Sequence, residues 1–452
     1  MPRIVPPKPA ARPDDAGLLA RVRLFRRDMF RSQPARLYHA KMAAVRTPIR
    51  SSFFLNTPAL VRRVLEERPE DFPKADLIGR TLKGLLGRSV FVTNGAEWRA
   101  QRRIIDPAFE AGRLRDSFPA MHAAGAAALA RLRPGETEIE FETAHLAADV
   151  IFRTLFSIPI THAHAAAVFS EFRAYQRAQP LLSWGDLLGL PGWIPRRRNT
   201  PARQAAAAIR ARLGALVEAR AAEIAAGTAP DDLATKIMTT PDPETGALFS
   251  TAEMIDQVAI FFLAGHETSA SALSWALYCL AADPEAQAHL AAEIRAIAPA
   301  RPFEFSDIPK LRFARDTFRE VLRLYPPVPM MVRQNTRPET YRGQDARPGS
   351  LAILSPWHLH RHQEIWDNPD HFDPWRWQQA AARECARSAY LPFSKGPRVC
   401  TGAGFAMVEG VLLLAMLVRA FEFTPLGPPP VPVAHLTLRS ETGIHLRLSR
   451  RV

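Results

Sequence analysis

The chain has 452 residues, 47% hydrophobic and 23% charged, the ordinary make-up of a soluble globular protein, and its length suits a large helical enzyme. Its net charge of +14 rests on 52 arginines against seven lysines, and alanine-rich runs such as RQAAAAIRARL mark this as compositional bias. No nucleic-acid-binding motif accompanies the charge, which excludes a nucleic-acid partner.

From the N-terminus, residues 1–17 read as an extended lead-in, with five prolines in the first fifteen residues and no apolar stretch. The expectation is a cytoplasmic chain with neither signal peptide nor transmembrane anchor. LLARVRLFRRDMF (18–30) is a basic amphipathic stretch, expected to pack one face on the domain, with contact to a membrane surface as the alternative. IRSSFFLN (49–56), SLAILSPW (350–357) and GIHLRLSR (443–450) read as short strands in a chain otherwise dominated by helical periodicity. NGAEWRAQRRIIDPAF (94–109) sets Trp98 and Arg102 one helical turn apart.

The clearest helix runs over about 251–282. Ser250 and Glu253 form a capping-box pattern, and Asp283-Pro284-Glu285 opens the next helix. At about 1.5 Å per residue this is a rod of roughly 45–50 Å, long enough to cross a domain. Its middle, LAGHETSAS (263–271), is too polar for a membrane span. Gly265 weakens the helix there, and the Thr268 hydroxyl can compete for the Ala264 carbonyl, so a groove is expected. His266 is read as structural. Farther on, Glu320 and Arg323 share one helix face that Pro326 and Pro327 terminate, and Arg376 follows in FDPWRW.

PFSKGPRVCTGAGFAMVEG (392–410) places Cys400 in a glycine-rich turn after Lys395 and Arg398. Cations and main-chain N–H groups favour a thiolate, which is a nucleophile or a metal ligand. Cys279, Cys385 and Cys400 are far apart with no CxxC, which speaks against zinc. A nucleophile paired with one of thirteen histidines and an inert thiol stay open on the residues alone.

The loop 393–402, Phe393-x-x-Gly396-x-Arg398-x-Cys400-x-Gly402, resembles the heme-ligand signature of the cytochrome P-450 superfamily. Ala264-Gly265-His266-Glu267-Thr268-Ser269 is similar to that family's oxygen-activation segment, and matching segments run from about Phe53 to the C-terminus. The resemblance implies a mainly α fold with a minor β region, one domain over 18–452, and heme b as cofactor. It makes Cys400 the axial iron ligand, Phe393 a shield against water, and Gly396 and Gly402 positions whose backbone is forbidden to other residues. Arg398, Trp98, Arg102 and Arg333 would serve the heme propionates, with Arg99, Arg103 and His358 as alternatives. Ala264 would border the heme, while Glu267 and Thr268 would relay protons to dioxygen. Glu320, Arg323 and Arg376 would brace the scaffold under the heme.

The implied activity is a monooxygenase acting on a lipophilic small molecule, with electrons from a ferredoxin or flavodoxin and its NAD(P)H-dependent reductase, because the chain has no flavin or iron–sulfur motif. A monomer is expected. The alternatives are a peroxygenase or isomerase, or a non-catalytic heme-binding protein. The substrate pocket is expected around 75–92, 179–193, Phe261, Ala264, Val328, Met330, Met331 and Glu441–Gly443.

Overall fold

The computed structural model describes residues 3–17, 20, 23, 24, 28–47, 50–178, 200–434 and 437–451; the expected pocket stretch 179–193 and much of 18–27 lie outside them. The helices that frame the site are α1 (Asp76–Leu86), α2 (Gly95–Ile105), α3 (Ala111–Arg131), α4 (Ile139–Phe156), α5 (Ala163–Ala178) and α6 (Thr200–Ala225). They are followed by α7 (Thr251–Ala282), α8 (Pro284–Ile297), α9 (Arg312–Leu324) and α10 (Ala403–Ala420).

The capping box is made: the Glu253 N–H donates to Ser250 Oγ at 3.3 Å, and the Ser250 N–H donates to Glu253 Oε2 at 2.9 Å. Asp283 then caps α8 by accepting from the Ala286 N–H at 3.0 Å, which turns the chain after α7. Most of α7 is buried against α4, α6, α9 and α10, so it forms the central rod of the core. It does not open at Gly265: the α-helix is continuous through the AGHETS segment. The glycine serves close packing instead, since a Cβ there would lie 2.3 Å from Ile151 Cδ1 of α4. Among the described residues, α10 is the one helix long and apolar enough to cross a membrane, and it is packed inside the core against α3, α7, α8 and α9.

The main sheet has the order β1-β2-β7-β4, from β1 (Met42–Arg46), β2 (Ser51–Leu55), β7 (Leu351–Leu354) and β4 (Met331–Gln334). β2 and β7 are parallel, with Ser52 opposite Leu351 and Leu55 opposite Leu354. A second sheet joins β3 (Gly135–Glu138), β11 (His445–Arg450) and β8 (Phe421–Pro425). Two hairpins complete the strands: β5 (Glu339–Tyr341) with β6 (Gln344–Ala346), and β9 (Pro432–Ala434) with β10 (Leu438–Ser440).

Glu320 is fully buried, and its Oε1 accepts from Arg323 Nη2 at 2.8 Å, Arg376 Nε at 3.0 Å and the Asp373 N–H at 3.1 Å. Burial by itself would raise this carboxyl, but the two guanidinium groups reverse that and hold it below the usual range. Arg323 also donates to the carbonyls of His360 and His371, both at 2.9 Å. One ion cluster thus ties α9 to the segments running down to the Cys400 loop.

Candidate active site

The Cys400 loop is shaped by two main-chain features. Gly396 has φ +69°, and a Cβ on it would lie 2.0 Å from the Leu65 carbonyl oxygen, so no other residue fits. The Cys400 N–H then donates back to the Phe393 carbonyl at 2.9 Å, closing the loop over a half-buried Phe393 ring that packs on the core. Gly402 corrects an expectation: its φ of −84° suits any residue, and a Cβ would only touch Cys400 Sγ at 4.0 Å. What Gly402 supplies is a main-chain N–H donated to the sulfur.

The thiolate argument is corrected too. Burial pushes the Cys400 thiol above its ordinary range, and the Gly402 N–H and Arg102 only partly oppose this. Lys395 and Arg398 turn elsewhere: Lys395 Nζ donates to the Arg387 carbonyl, and Arg398 Nη1 to the Pro69 carbonyl at 2.7 Å. A metal in place of the proton would hold this sulfur as thiolate. The residue is exposed at the surface of the protein although its thiol is closely surrounded by protein atoms. Cys279 is fully buried in the core, and Cys385 Sγ is bonded to the Ile365 carbonyl at 3.0 Å, so neither competes.

α2 clamps this loop. Arg102 Nη1 donates to the Val399 carbonyl at 2.9 Å while its Nε meets Asp106 at 2.7 Å, and Asp106 also accepts from Thr401 Oγ1 at 2.7 Å. Arg103 is held away by Asp242 at 2.6 Å and Arg99 by Glu70 at 3.3 Å, which removes both as substitutes. His358 is likewise spoken for: its Nδ1 lies 2.8 Å from Ser355 Oγ, and its ring sits 4.9 Å from that of Tyr38.

Beside Trp98 stands a group of cations that the sequence reading only half anticipated. Arg398 lies 5.0 Å and Lys74 Nζ 5.7 Å from the Trp98 ring. Arg333 is buried, and Arg398 Nε is buried without a hydrogen-bond partner. Among the described residues, none of Lys74, Arg333 and Arg398 makes an ion pair with a carboxylate. The strain shows in their protonation: burial, then Arg333, Arg398 and Arg102, lower Lys74 to about 6, while burial and then Arg398 lower Arg333 to about 10. Three basic side chains without a carboxylate partner, Arg333 buried and Lys74 and Arg398 half-buried, close to a thiol that a metal would hold as thiolate, fit a heme with its two propionates. Lys74 was missed because nothing in DFPKADL marks it; only the fold carries it to Trp98.

A cleft of about 600 Å³ is mostly apolar, lined by Leu77, Leu82, Phe91, Ile260, Leu263, Ala264, Val328 and Met330 among others. Thr268 opens on it and donates from Oγ1 to the Ala264 carbonyl at 2.6 Å. Glu267 lines it as well but is engaged: its Oε2 accepts from Thr437 Oγ1 at 2.8 Å, and its Oε1 pairs with Arg439 of β10. Phe261 is not on the cleft; its ring turns to Phe109, 5.7 Å away, because it lies off the Ile260–Ala264 stripe of α7. Met331 is also off it, since the β-pleat sends Met330 and Val332 to the cleft and Met331 to the smaller core. Thr442 and Gly443 line a different, polar cavity; Ser440 lines the cleft, and Arg439 lines both.

A helical fold with a loop thiol, a group of basic side chains around Trp98 and an apolar cleft bordered by a Thr-bearing helix defines a heme-thiolate protein. The cytochrome P450 family model matches residues 26–446, and the chain belongs to that family. It is a cytochrome P450 monooxygenase, a heme enzyme that uses dioxygen, a lipophilic substrate and a redox partner. Cyclooctatin synthase of Streptomyces melanosporofaciens is 31% identical over 86% of this chain and 84% of its own. Cyclooctat-9-en-7-ol 5-monooxygenase of the same organism is 32% identical over 86% and 83%. The crystal structure of the cytochrome P450DA heme domain superposes with a TM-score of 0.82 at 22% identity, covering 100% of this chain and 98% of that one, which speaks to the fold.

Proposed function

We propose that Cys400 is the axial ligand of a heme b whose propionates meet Lys74, Arg333 and Arg398, with Thr268 governing proton delivery in the cleft. The observation that carries this is a loop thiol accepting the Gly402 N–H beside three basic side chains, Lys74, Arg333 and Arg398, that have no carboxylate partner among the described residues. Heme, when bound, supplies the activation of dioxygen. The rest is the work of this chain's residues. The Gly402 N–H tempers the sulfur's donor strength. Arg102 and Asp106 hold the loop against α2, and Phe393 keeps water from it. The Thr268 hydroxyl, fixed by the Ala264 carbonyl, offers its oxygen lone pairs to the cleft as a proton acceptor and relay.

The substrate in this reading is a lipophile of terpenoid size with one polar group. The cleft is apolar except where Gln176, Arg177 and Arg439 gather, and the relatives named above act on cyclooctatin-type compounds. Electrons come from a ferredoxin or flavodoxin with its reductase, docking on the face around Lys395, in the cytoplasm. The domain over 18–452 acts as a monomer.

Two variants test the reading. Cys400→Ala is expected to lose the red-shifted carbon monoxide spectrum of thiolate ligation. Thr268→Val is expected to keep that spectrum and substrate binding, yet to turn most reduced nicotinamide into hydrogen peroxide rather than product. Unchanged coupling would leave Thr268 a helix residue bonded to its own backbone and reopen the peroxygenase alternative.

A further inference from the structure

On another side of α7 lies a second cavity of about 380 Å³, bounded by α4, α5, α7 and the strands β10 and β11. Its charged lining comes from every one of these elements: Glu138 and Glu140 at the start of α4, Arg173 on α5, and His266 and Glu267 on α7. Arg439 of β10 and His445 of β11 complete it. Arg173, Gln176, Glu267 and Arg439 also line the apolar cleft, so the two spaces share a wall with the Glu267–Arg439 ion pair at its centre. Glu267 is buried, and the next residue along α7, Thr268, opens on the cleft.

Glu140 faces this cavity across from that pair. Its Oε1 accepts from the Ser440 N–H at 2.9 Å, one residue beyond Arg439, so β10 connects the two carboxylates. Burial raises the Glu140 carboxyl to about 7; the Ser440 N–H and Arg439 lower it only in part, and Glu138 and Glu267 add to the rise. Near neutral pH it is therefore both a proton donor and a group that solvent can reload. His266 is not such a group, because burial lowers it to about 3 and its ring is enclosed by Phe262, Phe172 and Phe169.

We propose that this polar cavity is the enzyme's proton entrance, with Glu140 as the donor and the Glu267–Arg439 pair as its inner gate. The assignment rests on the reading of Thr268 given above. The Glu140 carboxyl gives its proton, through water held between the polar walls, to the Glu267 carboxylate, and Glu267 passes it into the cleft at Thr268. Solvent then returns one proton to Glu140. One proton moves inward per transfer, and two transfers supply the two protons of a turnover that reduces one oxygen atom to water; the relay itself moves no electrons. The space is large and polar enough to hold the bridging waters. Protonating Glu267 removes its attraction for the half-exposed Arg439, which lets the pair part while the proton moves on.

The test uses the heme-loaded protein. Glu140→Gln keeps the size and the acceptor for the Ser440 N–H but carries no proton. It is expected to retain the carbon monoxide spectrum and substrate binding, while product formed per nicotinamide falls several-fold. The wild-type decline in coupling as pH rises through about 7, where Glu140 ionises, should vanish in the variant. A readout independent of turnover is the infrared carboxyl band of the resting protein. Its component that titrates near pH 7 should be missing in Glu140→Gln, while the buried Glu409 carboxyl, raised to about 8, remains in both proteins. Arg439→Gln is a second probe: losing the cation that lowers Glu140 should move the same limb to higher pH. An unchanged pH profile in Glu140→Gln, an infrared difference between wild type and Glu140→Gln with no component near pH 7, or an unmoved limb in Arg439→Gln overturns the proposal. If Thr268→Val uncouples the enzyme while Glu140→Gln does not, the entrance is wrong and the Thr268 reading stands. If Thr268→Val leaves coupling intact, the underlying reading has failed.

Discussion

Two glycines six residues apart in the Cys400 loop are expected to differ sharply when each is replaced by alanine. At Gly396, φ of +69° costs an alanine about 1–2 kcal/mol. The new Cβ would also sit 2.0 Å from the Leu65 carbonyl oxygen and 2.9 Å from its carbon, both backbone atoms that no side-chain rotation can move. The loop has to shift by about 1 Å or more to reach van der Waals contact, and displacing a packed backbone segment adds roughly 2–3 kcal/mol. The total of about 3–5 kcal/mol falls on the segment that presents Cys400, so heme retention should drop with stability. At Gly402, φ is −84° and the nearest atom to a Cβ is Cys400 Sγ at 4.0 Å, so the cost should stay within about 1 kcal/mol. Urea unfolding followed by far-ultraviolet circular dichroism and by the heme absorption band measures both variants. Equal destabilisation by the two alanines would refute the assignment of strain to Gly396 and of mere N–H donation to Gly402.

Heme loading near pH 7.5 should release the Cys400 proton as the sulfur becomes a ligand, while the propionates return Lys74, lowered to about 6 by burial and then by Arg333, Arg398 and Arg102, to its charged state. A pH indicator in unbuffered solution should therefore show Lys74→Met releasing about one proton more than the wild type, and equal release in both would dismiss Lys74 as a propionate partner. Glu409, buried on α10 with Ser269 Oγ donating to its Oε2 at 2.5 Å, is pushed up to about 8 by burial. The unfolded chain ionises this carboxyl near 4.5 and the folded one only near 8, so its contribution to stability is whole below about 4.5 and is lost as pH rises through about 8. Glu409→Gln should therefore gain on the wild type across that window, by up to about 1.4 kcal/mol per pH unit, in urea titrations at several pH values; parallel pH profiles would contradict the burial argument.

The family was legible in the sequence because its markers are local. A left-handed glycine, a cysteine four residues on and a capping box before a long apolar run each depend on neighbours a turn or so away, where chain geometry alone decides what is possible. Gly396, the bounds of α7 and the Thr268–Ala264 hydrogen bond came from that kind of reasoning. The strands 49–56 and 350–357 were also visible, but not that they lie side by side in parallel, because nothing in either stretch names its partner across the chain.

The cations divided along the same line. Their presence was readable, yet Arg103 and Arg99 were captured by Asp242 and Glu70, His358 by Ser355, and Lys74 was brought to Trp98 instead. Which charge stays unpaired depends on long-range packing. Protonation followed it: beside Lys395 and Arg398 the Cys400 thiol looked depressed, whereas burial raises it once both side chains turn away. The sequence by itself determined which residues could perform the chemistry, since backbone conformation and local spacing are set by near neighbours. Only the tertiary structure decided which of them face the cleft, which are neutralised and where the second cavity opens, because desolvation and charge pairing are properties of atoms brought together from hundreds of residues apart.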